Sequence, residues 1–534
     1  MWLLKPPGSA PPADARTNHR FGVRTVSETK VSAAIVEVRN PADGRFVGEV
    51  SNDTPEVVAT RARELRLAQP EWEAIGPRRR QAWLLKFQDW VFDSAEHIAD
   101  VVQSESGKTR AEALGEPAGV ADSLNYWAGN AERFLADTHP LQFGLMALGK
   151  KLTTVYRPYP LVGVITPWNF PFTMPGLDVV PALAAGAAVL LKPSELTPLS
   201  AVEFVRGWTE IGAPPVLAIA TGDGQTGAAV IDNVDFLQFT GSTATGKKVA
   251  LRCAERMIRY SLELGGKDPA IVLADADLER AANGIAWGGL FNAGQVCVSV
   301  ERVYVEAPVY DEFVAKLAAK VAELRQGQDD RNCTHDVGAL ASLAQREIVE
   351  RHVNEAVGAG AKVLTGGKAT GEGTFFEPTV LVDVEHSMSC MTEETFGPTL
   401  PVMKVADETE AVRLANESNY GLSATVWTSD RRRGERVARK LEVGAVNIND
   451  VGSNIFAYAI PMGGWKQSGI GTRAGGAAGI LKYCRPQAIT APRIPTGSKE
   501  LLWYPSSPRR VKIALGVMRA AAARGLRRFG IKPA

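Results

Sequence analysis

Four short apolar runs, each leading through a turn into residues at helical spacing, recur in the middle of the chain: Val162-Gly-Val-Ile165, Ala188-Val-Leu-Leu-Lys192, Val216-Leu-Ala-Ile-Ala-Thr221 and Phe236-Leu-Gln-Phe239. Runs of this length read as buried strands, and their alternation with helices is the rhythm of parallel α/β units. The fold class expected is therefore α/β. At 534 residues the chain is long enough for two or three domains with sizeable cores.

Composition narrows the partners. Sixty Lys and Arg face 59 Asp and Glu, a net charge of +1, which gives no electrostatic case for nucleic acid and points to a small ligand. The five cysteines, Cys253, Cys297, Cys333, Cys390 and Cys484, show no paired spacing. This argues against a disulfide framework and against a metal site, and fits a reduced, cytoplasmic setting. No apolar run is long enough to span a membrane. Residues 1–32, with Pro6, Pro7, Pro11 and Pro12 among small polar residues, read as a disordered leader. A hairpin is expected from Ile35-Val-Glu-Val38 and Phe46-Val-Gly-Glu-Val50 around Pro41-Ala-Asp-Gly44. Spacing close to 3.6 then predicts packing helices from Pro55 to about Asp137, and Lys151 to Arg157 reads as a strand.

Chemistry concentrates around Cys297, in Phe291-Asn-Ala-Gly-Gln-Val-Cys-Val-Ser-Val-Glu-Arg302. A thiol attacks a carbonyl only as thiolate, so it needs a base. No His lies near it in sequence, and the best-placed base is Glu263 in Ser261-Leu-Glu-Leu-Gly-Gly-Lys267. Two glycine-rich segments suggest phosphate loops. Gly222-Asp-Gly-Gln-Thr-Gly227 lacks the acid of a dinucleotide unit between Phe236 and Ala254 and reads as a turn. Gly241-Ser-Thr-Ala-Thr-Gly-Lys-Lys248 nearly spells a P-loop, but Lys248 stands where Ser or Thr must hold magnesium.

The Glu263 and Cys297 segments, with Thr166-Pro-Trp-Asn-Phe-Pro171, Lys192-Pro-Ser-Glu195, Phe239-Thr-Gly-Ser242, Glu393-Glu-Thr-Phe-Gly-Pro398 and Pro461-Met-Gly-Gly464, resemble in identity and order the motifs of the NAD(P)-dependent aldehyde dehydrogenase superfamily. Met462 departs from the usual Phe. The resemblance spans roughly Ile35 to Pro495 and implies a Rossmann-like cofactor domain, an α/β catalytic domain and a small β oligomerisation element. The expected boundaries are 33–137 and 158–264 for the first, 265–475 for the second, and 138–157 with 484–495 for the third. Homodimers or homotetramers are implied.

The same resemblance assigns roles. Cys297 is the nucleophile, Glu263 the base that activates water, and Asn169 a donor to the developing oxyanion, a contribution of roughly 3 kcal/mol. Thr166, Trp168, Lys192, Glu195, Gly241, Ser242, Glu394 and Phe396 bind the cofactor. A carboxylate at Glu195 accepts from a ribose diol and repels a 2′-phosphate, so NAD is favoured over NADP. Acyl transfer to coenzyme A is a rival reading, disfavoured by Glu263; a non-catalytic binding protein on the same fold is another.

Parts of the chain are similar to actinobacterial succinate-semialdehyde dehydrogenase-like members, which makes that substrate an alternative. Characterised members carry Arg at the positions of Leu177 and Phe291, however, so an apolar aliphatic or aromatic aldehyde is expected, in a tunnel lined by Phe172, Leu177, Phe291 and Phe456. Arg302 is expected to serve structure. The tail, 496–534, holds eight basic and no acidic residues from Arg509 to Lys532, with Val511, Leu515, Met518, Ala522, Leu526 and Phe529 at helical spacing. It suits peripheral contact with an anionic inner membrane face, or packing on a neighbouring subunit.

Overall fold

The computed structural model describes residues 30–31, 34–144, 147, 149–371, 373–494, 497–498, 500 and 503–531. The expected leader thus lies outside the described residues, except that Lys30–Val31 pairs antiparallel with Ile35–Arg39.

The four apolar runs become neighbours in one six-stranded sheet. Its order is Gly469–Ile470, Arg259–Glu263, Phe236–Thr240, Leu161–Ile165, Ala188–Lys192 and Leu217–Ile219, parallel throughout except for the first, which pairs antiparallel. The chain runs outward from Leu161–Ile165 to Leu217–Ile219, then returns to the other side of that first strand. The order reverses between Leu161–Ile165 and Phe236–Thr240, and such a switch point opens a crevice at the carboxyl ends of the strands. Thr166, Trp168 and Asn169 follow one of these strands, and Gly241 and Ser242 follow the other.

Burial on both sides explains the continuous apolar character: every residue of Leu161–Ile165 and Ala188–Lys192 is buried. Four helices, Pro55–Ala74, Gly76–Asp93, Ala95–Ser106 and Arg110–Phe134, fill the expected helical region. Their apolar stripes, with Trp72, Phe87 and Trp127, join the core beneath this sheet. The expected hairpin forms between Ile35–Arg39 and Phe46–Ser51.

A second sheet of seven strands runs Lys362–Thr365, Thr379–Val382, Thr399–Val405, Val300–Glu306, Asp268–Val272, Ser423–Trp427 and Ala445–Ile448, with only the first antiparallel to its neighbour. The strand Gly469–Ile470 therefore leaves the region of this second sheet to edge the first. A two-stranded ribbon pairs Lys150–Pro158 with Cys484–Pro492 over nine residue pairs. The tail forms the helix Pro508–Ala522 and a 3-10 turn at Gly525–Phe529, so its helical spacing is interrupted after Ala522. Among the described residues no helix is long and apolar enough to cross a membrane.

Candidate active site

Cys297 follows a backbone segment of uncommon shape. Asn292, Ala293 and Gly294 are successively left-handed, with φ of 53°, 54° and 73°. Two of the three carry a Cβ, which costs about 1 to 2 kcal/mol each unless the surroundings impose the shape. They do. Asn292 N donates to Glu112 Oε1 at 2.6 Å and its side-chain amide donates to Asn169 O at 3.0 Å. Gln295 Oε1 accepts from Ala341 N at 2.8 Å. A Cβ on Gly294 would lie 2.1 Å from Gly397 O, so a side chain cannot be accommodated there.

Asn169 approaches from the first sheet. Its Nδ2 donates to Gln295 O at 2.8 Å, and its backbone oxygen also accepts from the buried Lys108 at 2.8 Å. One of two amide hydrogens is thus occupied, and Asn169 lines a cavity that Cys297 also lines. Glu263 ends the strand Arg259–Glu263, is 3% exposed, and keeps Oε1 without a partner. Burial pushes its carboxyl up to about 7, against the opposing charges of Arg473 and Lys482. Burial likewise pushes the Cys297 thiol up to about 12; Arg473 opposes this, while Glu263, Asp268 and Glu394 add to it. Burial thus favours the uncharged form of both groups, and Arg473 is the charge that opposes it at each.

Two cavities meet at this sulfur. The first, about 350 Å³, is lined by Phe170, Met174, Leu177, Trp287, Phe291 and Phe456 among others; the second, about 280 Å³, by Trp168, Asn169, Gly241, Ser242, Glu394 and Phe396 among others. Cys297 and Met174 line both. Leu177, Phe291 and Phe456 stand in the first cavity as expected, but Phe172 does not. Its ring is fully buried against Phe204, with centroids 5.5 Å apart, because it immediately precedes the helix Thr173–Ala185 and turns into the core. Phe170 takes the lining position, its ring near-parallel to Phe291 at 5.9 Å.

The second cavity is shaped by close backbone approach. Glu394 Oε1 accepts from Gly266 N at 2.9 Å, and a Cβ on Gly265 would lie 2.3 Å from the Glu394 carboxylate. Burial pushes Glu394 up to about 8. Phe396, left-handed at φ 51°, meets Trp168 edge-on at 5.4 Å. Glu301 holds that turn by accepting from Thr395 N at 2.7 Å and Phe396 N at 2.8 Å. Ser242 caps the helix Thr243–Glu255, accepting from Thr245 N at 3.3 Å, so the positive end of that helix opens on the cavity wall.

A third cavity, about 660 Å³, is lined by Lys192, Glu195, Asp223, Gly224, Gly227 and Lys248 among others. Lys192 Nζ lies 3.5 Å from Glu195 Oε2. The segment Gly222–Gly227 is thus more than a turn: Asp223 caps the helix Gly224–Asn233, whose first turn forms one wall beside Lys192. Among the described residues, no cluster of His, Cys, Asp and Glu could hold a metal.

Residues 28–489 match the model of the Aldehyde dehydrogenase family. The chain belongs to the aldehyde dehydrogenase family. A Mycobacterium ulcerans protein named, provisionally, as succinate-semialdehyde dehydrogenase (NADP) 2 is 40% identical over 476 residues, covering 87% of this chain and 90% of that protein. A 4,4′-diapolycopene aldehyde oxidase from Methylomonas is 40% identical over 477 residues, covering 88% of each. Among solved structures, the aldehyde dehydrogenase PutA of Anabaena variabilis superposes with a TM-score of 0.84 at 36% identity, covering 88% of this chain and all of that one. The activity is NAD(P)-dependent aldehyde oxidation.

The residues present fit such a cofactor. A capped helix N-terminus suits a pyrophosphate, a Lys and Glu pair suits a ribose, and the cleft with Glu394 and Phe396 ends at Cys297. Several side chains that line the first cavity of this aldehyde dehydrogenase were not foreseen from sequence. Glu112 and Glu116, both buried, line the first cavity. Their signal was two acids four residues apart amid small and apolar residues of the helix Arg110–Phe134. Trp287, four residues before Phe291, places its ring 4.9 Å from that of Phe291. Arg302 serves structure as expected, donating to Lys267 O at 2.8 Å, to Ala415 O at 2.8 Å and to Leu414 O at 3.2 Å.

Proposed function

We propose that the protein oxidises an apolar aliphatic or aromatic aldehyde with NAD, through a thioester on Cys297. The observation that carries this is the lining of the tunnel: aromatic and aliphatic side chains run up to the sulfur, with no Lys, Arg or His among the described lining residues. The buried cation Lys108, which bonds the lining residue Glu116, is already engaged. It donates to Glu116 Oε1 at 2.6 Å and to Asn169 O, and lies 4.2 Å from the Phe170 ring. A substrate carboxylate would meet Glu112 and Glu116 with no counter-ion, a mismatch of several kcal/mol. The relative named for a diapolycopene aldehyde fits an apolar substrate. Succinate semialdehyde is the second reading, favoured by the name of the Mycobacterium ulcerans relative.

The sulfur of Cys297 adds to the carbonyl carbon, its proton passing to Glu263, while Asn169 Nδ2 and the Cys297 N–H hold the oxyanion. The nicotinamide cofactor, when bound, supplies the hydride acceptor. Glu263, having released its proton to solvent, then takes one from the water that cleaves the thioester and frees the thiol. Thr166, Trp168, Gly241, Ser242, Glu394 and Phe396 hold the cofactor near the sulfur, and Lys192 and Glu195 hold its ribose. Glu195 makes NAD the preferred form.

Residues 33–137 and 158–264 belong to the cofactor domain, 265–475 to the catalytic domain, and the oligomerisation element at 138–157 and 484–495 joins subunits of a cytoplasmic homodimer or homotetramer. The tail touches the anionic inner membrane face: Val511, Leu515 and Met518 form an exposed stripe beside Lys512 and Arg519, following exposed Trp503 and Tyr504. Sedimentation with anionic vesicles should be lost when residues 503–534 are removed. Production of NADH from neutral aldehydes, with and without coenzyme A, tests the reaction. It should proceed without coenzyme A; strict dependence on it would assign acyl transfer instead.

A further inference from the structure

Next to Glu263 lies a group of charges, Arg473, Lys482 and Asp178, that the reaction above does not use. Arg473, 3% exposed, donates to both carboxylate oxygens of Asp178, at 3.1 and 3.2 Å; Asp178 itself has no exposed surface. The same guanidinium bonds Thr240 Oγ1. Thr240 is the residue paired with Glu263 across the sheet, and Gly469, four residues before Arg473, pairs with Glu263 from the opposite edge. The backbone N–H of Arg473 donates to Met462 O at 2.6 Å, and Asp178 follows Leu177, so both ends of the ion pair are fastened to residues of the tunnel wall. Arg473 Nη1 and Glu263 Oε1 are among the buried polar atoms here that have no partner.

We infer that Arg473 is the positioning residue that sets ionisation in this site: its guanidinium, clamped by Asp178 with Nη1 unpaired, is the standing positive charge beside which Glu263 and Cys297 become anions. The inference rests on the roles proposed above for those two residues. A buried carboxylate or thiolate is costly without an opposing charge, and a flexible cation could leave or bind substrate instead. The fork on Asp178 prevents both by fixing the plane of the guanidinium. Among the charges acting on Glu263 and on Cys297, Arg473 is the largest that opposes burial.

The other groups facing Glu263 fit this arrangement. Lys482 Nζ donates to Gln238 Oε1 at 2.8 Å and to Thr472 O at 2.9 Å, and burial lowers it to about 8, so it is a weaker cation than Arg473. Tyr483, with its hydroxyl unpartnered, is raised by burial and stays neutral. Asp178 opposes ionisation of Glu263, and Cys297 is the remaining facing group; Asp268 and Glu394 act on the sulfur.

Two readouts test the inference. The first is the rate of iodoacetamide alkylation of Cys297 at pH 8 in the cofactor-free protein, followed on the Cys297 peptide. Arg473→Met should slow it about tenfold, equivalent to a thiol raised by about one pH unit, and Arg473→Lys should recover most of the loss. This step needs no turnover, so it stands even if Glu263 proves not to be the base. The second is the acid limb of steady-state NADH production. It should move to higher pH in Arg473→Met and return towards the wild-type position in Arg473→Lys. A fold defect would lower the plateau without moving the limb, and lysine would not restore it. Unchanged alkylation in a folded Arg473→Met protein, or a limb that stays where it is, overturns the inference. Should Arg473→Met not fold, Arg473→Gln carries the same two readouts with the same force.

Discussion

The two cavities that share Cys297 are built in opposite ways. The cofactor cleft is drawn from contiguous motifs at strand ends: Trp168 and Asn169 after one strand, Gly241 and Ser242 after its neighbour, Glu394 to Phe396 on one turn. The tunnel is assembled from side chains scattered from Glu112 to Met462, a few from each of several helices and loops. Backbone geometry makes the cleft, and side-chain identity makes the tunnel. Single substitutions in the tunnel should therefore change the choice of aldehyde while leaving the cleft intact.

The largest expected effects lie at the shared Cys297 and at Glu263, which acts on it. Cys297→Ala should abolish NADH formation, including the first turnover, as measured by stopped-flow absorbance. Glu263→Gln should retain a single-turnover burst while steady turnover falls on the order of a hundredfold or more, because the thioester persists. Steady turnover near wild type in that variant would remove Glu263 from the account. In the wild type, steady turnover should fall as pH drops through about 7, since burial raises the Glu263 carboxyl to that value and only its ionised form accepts a proton.

A smaller effect separates the cavities. Phe291→Arg should raise the specificity for succinate semialdehyde over pentanal by about tenfold or more, leaving the KM for NAD within about twofold, because the cation enters the tunnel alone. An equal loss of both aldehydes with a raised KM for NAD would show that the two regions are not separable. Smallest is Glu195→Ser, which should narrow the preference for NAD over NADP by several-fold through loss of charge repulsion, with no change in the order of aldehydes. Equal kcat/KM for the two cofactors in the wild type would contradict that reading.

The same contrast explains what the sequence disclosed. Strands were legible because burial on both faces demands unbroken apolar runs, as in Ala188–Lys192. The cleft was legible through the family resemblance, because its residues sit in short contiguous motifs; at Gly265 and Gly266 a Cβ would meet the Glu394 carboxylate and Cys297 O. The tunnel was only half legible. Phe170 and Phe172 are two residues apart and chemically identical, and only packing against Phe204 decides that one enters the core while the other faces the cavity. Met174, Trp287 and Ile455 carry no local mark of their role, since an apolar side chain that lines a tunnel looks like one that fills a core. Arg473 and Asp178 are 295 residues apart in the chain, and nothing short of the fold brings them together.

The central claim is that an apolar tunnel delivers the aldehyde to Cys297, and kcat/KM across a series of n-alkanals tests it most directly. Each added methylene should gain up to about 0.8 kcal/mol, so specificity should rise roughly tenfold or more over a few carbons until the tunnel is full. Succinate semialdehyde, of matching length but charged, should fall well below pentanal. If succinate semialdehyde is instead the better substrate under equal conditions, the apolar tunnel does not select the substrate and the account is wrong at its centre.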